Sequence, residues 1–192
     1  MIRSGPIYVG ALLLVFLSAA TRSEDFSILL IAAPALDQSI FQRSVILVST
    51  HDDGTAMGVI LNRPLPVDSS RLYPGDDLMK DAGLVHFGGP VHISTLLFLF
   101  QASAEPENAL HLFDDIYLSN DRQILAEQLR RPRSESRLEF YAGYAGWAQG
   151  QLQAEILEGS WTTVRASSRL VFDTDRTSIW EVLRVKRPDE WI

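Results

Sequence analysis

The 192-residue sequence predicts an α+β fold with a mainly antiparallel sheet. Short apolar segments rich in β-branched residues follow one another closely, and only three segments carry apolar residues at helical spacing. Strands that succeed each other with few helices between them pair most simply as antiparallel neighbours. The length and the 46% apolar content suit a single domain with a sizeable core.

The amino-terminal residues have the pattern of a secretory leader. Arg3 precedes an apolar run over residues 7–17, and small residues follow at positions 18–20. The run is shorter than the roughly 20 residues that span a bilayer as a helix. We therefore expect residues 1–20 to be a cleavable signal peptide and residues 21–192 to form one domain. That domain would be exported to the periplasm or secreted, with no stable membrane anchor. The alternative is a cytoplasmic protein whose start codon is misassigned.

The first predicted elements of the domain are a strand and a hairpin. Residues 28–33 are continuously apolar before Pro34, which is typical of a strand buried on both faces. Residues 44–50 and 56–61 are again rich in Val and Ile, and the Asp-Asp-Gly sequence at 52–54 favours a turn between them. The two segments are therefore predicted to form a β-hairpin.

The middle of the chain is predicted to alternate loops with short strands. Residues 65–83 contain Pro66, Pro74 and several polar residues, which favours an exposed loop. A strand over residues 84–87 ends in the turn residues Gly88-Gly89-Pro90. Two further apolar runs are predicted strands, at residues 96–100 and 116–118.

The last third of the chain contains all three predicted helices. Their apolar positions have helical spacing around Leu125, over residues 150–158 and around Leu183. Residues 138–141 are predicted to form a strand that leads into a glycine turn at 143–147. Two more strands are predicted, at residues 161–164 and 170–172.

Charge and composition exclude several classes of function. Lys and Arg total 17 against 24 Asp and Glu, giving a net charge of −7, and there is no long basic run. A polyanion is repelled by such a field, so we expect no nucleic-acid partner. The absence of cysteine removes disulfides, thiolate catalysis and Cys-ligated metals. The four histidines form no metal-binding pattern, so no metal or other cofactor is predicted.

Two segments carry residues that are capable of catalysis or ligand binding. His51 lies beside Asp52 and Asp53, but the turn explains these residues without a catalytic role. Glycines at 143–147 before a predicted helix would expose N–H groups to an anion, with Tyr144 and Trp147 as flat contact surfaces. The alternative, which burial habits favour, is that both rings fill the core and the glycines allow close packing.

An ordered set of motifs resembles the AlgH/YqgE family of bacterial proteins. The set includes Phe41-Gln42-Arg43-Ser44, Asn62-Arg63-Pro64, Gly88-Gly89-Pro90, Gly143-Tyr144-Ala145-Gly146-Trp147 and Gly150-Gln151-Leu152 with Glu155. The resemblance implies a compact α+β domain with a barrel-like, mainly antiparallel sheet flanked by a few helices. The family carries a transcriptional-regulator label and a poorly defined function. Many relatives have a histidine at the position of Phe100 and lack a leader.

The sequence favours a non-catalytic binding or regulatory module that recognises an unknown protein or small ligand. A hydrolase using Ser44 or His51 with a nearby carboxylate is the first alternative. A transcriptional regulator, as the family label suggests, is the second, and the acidic charge and the leader argue against it. No catalytic residue is assigned. The candidate binding residues are Arg43, Ser44, Asn62, Arg63, Gly88, Gly89, Tyr144, Trp147, Gln151 and Glu155.

Overall fold

The computed structural model describes residues 27–80, 82–132 and 136–185. The predicted leader, residues 1–20, lies outside this part of the chain. The strands are β1 (Ile28–Ala32), β2 (Val45–Thr50), β3 (Ala56–Ile60), β4 (Pro64–Asp68), β5 (Leu84–Phe87), β6 (Val91–Gln101), β7 (Leu110–Phe113), β8 (Ile116–Ser119), β9 (Leu138–Trp147) and β10 (Trp161–Arg165). The α-helices are α1 (Ser69–Leu72), α2 (Arg122–Arg130), α3 (Gln151–Leu157), α4 (Ser168–Phe172) and α5 (Ile179–Val185).

The strands form one curled, half-barrel sheet, which confirms the predicted α+β class. The strand order is β10-β1-β2-β3-β9-β6-β8-β7, and every neighbouring pair along this path is antiparallel. The central strand β9 pairs with β6 on one side and with β3 and β5 on the other. Strand β5 runs parallel to β9, and β4 pairs with the outer side of β5.

Both faces of the sheet are buried, because side chains alternate between two clusters along each inner strand. In β1, Leu29 and Ile31 pack with α4 and α5, whereas Leu30 and Ala32 pack with Leu152 of α3. A third cluster joins β5, β6 and the first half of β9 to α2. This two-sided burial explains the continuous apolar run of β1 and confirms the predicted buried strand.

The prediction of an exposed loop at residues 65–83 is wrong. The structure has β4, α1 and a 3₁₀ turn at Asp77–Met79 in this segment, and the side chain of Met79 is fully buried. The hydroxyl of Ser69 donates to Met79 O and accepts from Gly83 N, which fastens the segment at both ends. Prolines are tolerated in β4 because it pairs with β5 alone and so needs no second ladder of N–H donors.

Two predictions in the last third of the chain are also wrong. The glycines at 143–147 belong to the second half of β9, and α3 begins only at Gln151. Their backbone is therefore committed to sheet pairing, so this segment does not present a helix start to an anion. Residues 170–172 form part of helix α4 rather than a strand, since the Ser167 hydroxyl accepts from Leu170 N and caps the helix.

Strand β7 was missed by the sequence analysis. The segment is only four residues long and lies between the Glu- and Pro-containing segment before it and a tight turn after it. It pairs with β8 at the edge of the sheet, with a register shift between His111 and Phe113. Helix α2 and helix α5 lie where apolar spacing predicted them.

Candidate functional site

The ten candidate binding residues do not converge on one cavity among those described, and they fall into three groups in the fold. Arg43, Ser44, Asn62 and Arg63 lie where β2 begins and β3 ends. Gly88, Gly89 and Tyr144 lie where the turn after β5 crosses β9. Trp147, Gln151 and Glu155 lie at the end of β9 and in α3.

The first group holds the segment that precedes β2. The Asn62 side chain accepts a 2.8 Å hydrogen bond from Val45 N and donates one of 2.9 Å to Arg43 O. The guanidinium of Arg63 donates to Ile40 O, Gln42 O and the Ser44 hydroxyl. These contacts satisfy backbone groups outside the sheet, so Asn62 and Arg63 act as structural clasps.

Arg43 connects the same segment to α5. Its guanidinium lies 4.9 Å from the centre of the Trp180 ring and bonds Glu181, and its backbone has a positive φ of 54°. Arg184 lies at the same distance from the Trp180 ring. The indole of Trp180 donates to Ala32 O, so the cation–π contacts surround a side chain that anchors α5 to β1.

The residues of the third group belong to a hydrogen-bonded cluster beneath α3. The indole nitrogens of Trp147 and Trp161 both donate to Glu155 Oε2, at 2.9 and 2.8 Å, and Gln151 Nε2 donates to Oε1. Burial raises the pKa of Glu155, but these three donors outweigh it, so the pKa lies below its ordinary value. Both oxygens of the carboxylate thus accept hydrogen bonds from protein donors, which indicates a structural role.

Gly88 and Gly89 allow the turn after β5 to contact β9 at backbone distance. A Cβ at Gly88 would lie 2.1 Å from Gly143 O, and one at Gly89 would lie 2.2 Å from Tyr144 C. Gly143 has a φ of +70°, and a Cβ there would meet Gly89 O at 2.5 Å. The glycines are therefore required by packing, and they hold Tyr144 in a fixed position.

Among the ten candidates, Tyr144 lines a cavity between the strands. We call this cavity the His92 cleft: it has a volume of about 690 Å³ and opens between β3, β6, β9 and the β7–β8 hairpin. Its apolar wall consists of Met57, Leu97, Ala109, Leu110 and Leu118, and its polar groups come from His92, Thr95, Asn108, Ser119, Asn120 and Tyr144.

The backbone around the His92 cleft is irregular. His92 has a φ of +47°, a conformation that costs a non-glycine residue about 1 kcal/mol. The register of β6 against β9 shifts between Val91 and Leu96, which marks a bulge. The bulge presents the exposed imidazole of His92 to Tyr144, with ring centres 5.9 Å apart and planes 28° apart. Bulges and strained residues of this kind concentrate beside functional sites because they re-aim side chains.

The opposite wall of the cleft carries amide groups. Asn108 also has a positive φ, of 62°, and its amide makes only a long 3.4 Å contact with Asp121. The Ser119 hydroxyl is already occupied, since it donates to Asn108 O and accepts from Asp121 N. Within the described residues, the side chains of Thr95 and Asn120 form no hydrogen bond. Free donors and acceptors therefore lie beside the apolar wall of the cleft, and this combination is usual in a small-molecule site.

A second polar cluster lies in the interior between β5, β9 and the segment before α5. Arg176 Nη2 bonds both carboxylate oxygens of Glu139 at 2.5 Å, and Glu139 Oε2 accepts a 2.6 Å hydrogen bond from the Tyr141 hydroxyl. Burial first, and then the Glu139 charge, raise the pKa of Tyr141 well above its ordinary value. Burial lowers the pKa of His86, whose ring lies 5.5 Å from that of Tyr141. The cluster is nearly closed to solvent and joins the central strand to the α4–α5 segment.

The geometry argues against a hydrolase that pairs Ser44 with His51. Ser44 is fully buried, and its hydroxyl contacts Arg63 rather than a base. The two residues flank opposite ends of β2, so roughly 20 Å of extended strand separates them. Asp53 accepts hydrogen bonds from Thr55 N and its hydroxyl, as the turn explanation requires. Within residues 27–80, 82–132 and 136–185, no three His, Asp or Glu residues are arranged to hold a metal ion.

Comparisons with known proteins identify relatives along most of the chain. The family model described as AlgH-like matches residues 29–187. UPF0301 proteins of Shewanella denitrificans and Chromobacterium violaceum are 36% and 35% identical to the chain. The alignments cover 79% and 75% of this chain and 85% and 80% of those relatives.

Two solved structures share the fold. A Corynebacterium diphtheriae protein has a TM-score of 0.68 over 85% of this chain and 87% of its own. The AlgH protein of Pseudomonas aeruginosa has a TM-score of 0.62 over 90% of this chain and 85% of its own. Each is 24% identical in sequence, so the likeness extends to the fold alone.

The sequence analysis missed most of the His92 cleft. His92, Thr95, Asn108 and Asn120 come from three separate segments, and no local motif joins them. Phe100, where many relatives were expected to have histidine, is fully buried and packs with Phe98 and Tyr117. Its ring therefore belongs to the hydrophobic core.

Proposed function

Since the chain belongs to the AlgH-like family, whose activity is undefined, we propose from its own geometry that it is a non-catalytic module that binds a small ligand in the His92 cleft. One observation carries the proposal: His92 holds a costly positive φ and stacks an exposed imidazole on Tyr144 at the mouth of a cavity. The exposed imidazole adds little to the core, so a binding role accounts for its placement better than stability does.

The first test asks whether the backbone of His92 is strained and whether its side chain is needed for the stability of the fold. His92→Gly should leave the free energy of unfolding unchanged or raise it by up to about 1 kcal/mol, because glycine adopts positive φ without a Cβ penalty. Asp114→Gly is the matched control, since Asp114 has a φ of 48° in the β7–β8 turn outside the cleft. A loss of more than about 1 kcal/mol in His92→Gly alone would show that the imidazole is structural.

The second test is binding. Saturation-transfer NMR with a set of neutral aromatic fragments should detect binding to the wild-type protein and to Asp114→Gly. His92→Gly should weaken the signals, because one of the two rings that line the cleft is gone while the fold is intact. Equal fragment binding by His92→Gly and the wild-type protein would contradict the proposal.

Export is a second component of the proposed function. The pattern of Arg3, an apolar run and small residues at 18–20 supports signal cleavage, which would leave 16 basic and 24 acidic residues. No helix within the described residues is long and apolar enough to cross a membrane. Mass spectrometry of the protein from fractionated cells should find an amino terminus near residue 21 outside the cytoplasm. An intact amino terminus in the cytosol would support the misassigned start instead.

The net negative charge of the chain disfavours a regulator that binds DNA directly. The excess of 24 acidic over 17 basic residues opposes a polyanion, so a gel shift at low salt should show no tight duplex binding. Tight binding under those conditions would restore the regulator as the leading alternative.

A further inference from the structure

The geometry points to a neutral nucleobase, free or carried by a nucleoside, as the ligand class of the His92 cleft. This inference rests on the proposed function and goes beyond it by naming the chemistry of the ligand. Three features of the cleft carry it: a pair of stacked aromatic rings, amide and hydroxyl groups with unused hydrogen-bonding capacity, and the lack of Lys or Arg among the described lining residues.

The ring wall selects a planar ligand. The imidazole of His92 stacks on the phenol of Tyr144, with planes 28° apart; both residues line the cleft, and His92 is exposed to solvent. A flat heterocycle can stack on such a surface, as bases do on aromatic side chains in single-stranded nucleic-acid sites. The cavity of about 690 Å³ has room for a bicyclic ring and an attached sugar.

The polar wall selects a ring with mixed hydrogen-bonding edges. Each amide of Asn108 and Asn120 offers a carbonyl acceptor and an NH₂ donor, and the Thr95 hydroxyl offers both. Nucleobases carry donors and acceptors side by side on one edge, which an amide matches with two hydrogen bonds. A purely hydrocarbon ring would cover these groups without pairing them, at a cost in affinity.

The charge of the cleft disfavours a phosphorylated ligand. Among the described residues that line it, none is Lys or Arg. The nearest charged group that a lining residue contacts is Asp121, whose carboxylate is 3.4 Å from Asn108 Nδ2. A phosphate would enter without a cation to pair with and beside a carboxylate, so a nucleoside should bind better than its monophosphate.

Isothermal titration calorimetry with adenine, adenosine and adenosine monophosphate tests the inference on the full-length domain. We expect adenine or adenosine to bind, and the monophosphate to bind at least tenfold more weakly. Tyr144→Ala and His92→Ala should each weaken binding by about tenfold, because each removes one of the two rings that line the cleft. His51→Ala is the matched control, since His51 is an exposed histidine at the β2–β3 turn outside the cleft, and its affinity should equal that of the wild-type protein.

The outcomes separate this inference from the proposed function. If neutral aromatic fragments bind in the cleft but adenine and adenosine do not, the ligand class is wrong and the binding module stands. If the monophosphate binds as tightly as adenosine, the charge argument and the ligand class fail together. If neither fragments nor nucleosides bind, the proposed function itself is overturned. Circular dichroism of each variant confirms that a loss of binding is not a loss of fold.

Discussion

The indole nitrogen of Trp147 donates a 2.9 Å hydrogen bond to Glu155 Oε2 across the junction between β9 and α3. The same oxygen accepts a 2.8 Å hydrogen bond from Trp161 at the start of β10. Trp147 is the last residue of the central strand, and β10 is the edge strand beside β1. A single carboxylate therefore joins the centre of the sheet to its edge through one helix.

Replacing this carboxylate should destabilise the domain. Glu155→Leu leaves two buried indole N–H groups without an acceptor, and we expect the free energy of unfolding to fall by about 3 kcal/mol. Urea denaturation followed by tryptophan fluorescence measures the change. Glu158→Leu is the control, because Glu158 is exposed at the end of the same helix and should change stability by less than about 0.5 kcal/mol. Equal effects of the two variants would refute the role of Glu155.

The same site predicts a pH dependence. The pKa of Glu155 in the folded protein lies below its ordinary value of 4.5. Its charged form therefore contributes stability that is fully present above pH 4.5 and is lost as the pH falls through the folded pKa. The stability difference between the wild-type protein and Glu155→Gln should be largest near pH 7 and shrink below pH 4.5. A difference that stays constant from pH 7 to pH 3 would contradict this.

The turn after β5 should not tolerate a methyl group. In Gly88→Ala the new Cβ would meet Gly143 O at 2.1 Å, and backbone atoms cannot move aside as a side chain can. We expect a loss of about 3 kcal/mol, at the upper end of overpacking effects. Gly146→Ala is the control in the same strand region, because its nearest neighbour is the Tyr144 ring at 3.5 Å. Thermal unfolding should separate the two variants, and equal melting temperatures would be inconsistent with the contact.

The clasp made by Arg63 should require its fork geometry. Arg63→Lys keeps the charge but replaces three directed N–H groups with one ammonium, which cannot reach Ile40 O, Gln42 O and Ser44 together. We expect a loss of about 1–2 kcal/mol in urea denaturation. Arg71→Lys is the matched control at an exposed arginine and should have no effect. If the two substitutions cost the same, Arg63 contributes charge alone.

Removing one partner of the Glu139–Arg176 ion pair should strongly destabilise the domain. Removing both partners should cost less stability than the two single changes added together. Their side chains are only 19% and 14% exposed, so Arg176→Met leaves a carboxylate in a poorly solvated place. We expect that variant to lose about 3 kcal/mol and the double variant Glu139→Gln/Arg176→Met to lose less than the sum of the single changes. The more exposed pair Arg137–Asp173 is the control and should couple by less than about 1 kcal/mol. A double-mutant cycle with zero coupling at Glu139 and Arg176 would contradict the buried pair.

Local sequence patterns were sufficient to predict the elements that are long or strongly patterned. The β2–β3 hairpin, the buried strand β1 and helices α2, α3 and α5 follow from turn residues and apolar spacing that act within about ten residues. The family motifs carried the half-barrel class, which periodicity alone did not. The prolines at residues 65–83 led to a wrong loop prediction, because whether a strand tolerates proline depends on whether it lies at the edge of a sheet.

The roles of the candidate residues depend on contacts between segments that are distant in the chain. Arg63 and Glu155 are clasps because their partners come from other segments, and Gly143 bends a strand because Gly89 crosses it there. The His92 cleft brings together side chains up to about 90 positions apart in sequence, and a bulge sets the direction of its ring wall. Sequence patterns report local preference, whereas a binding site depends on which distant strands become neighbours when both faces of the sheet are buried.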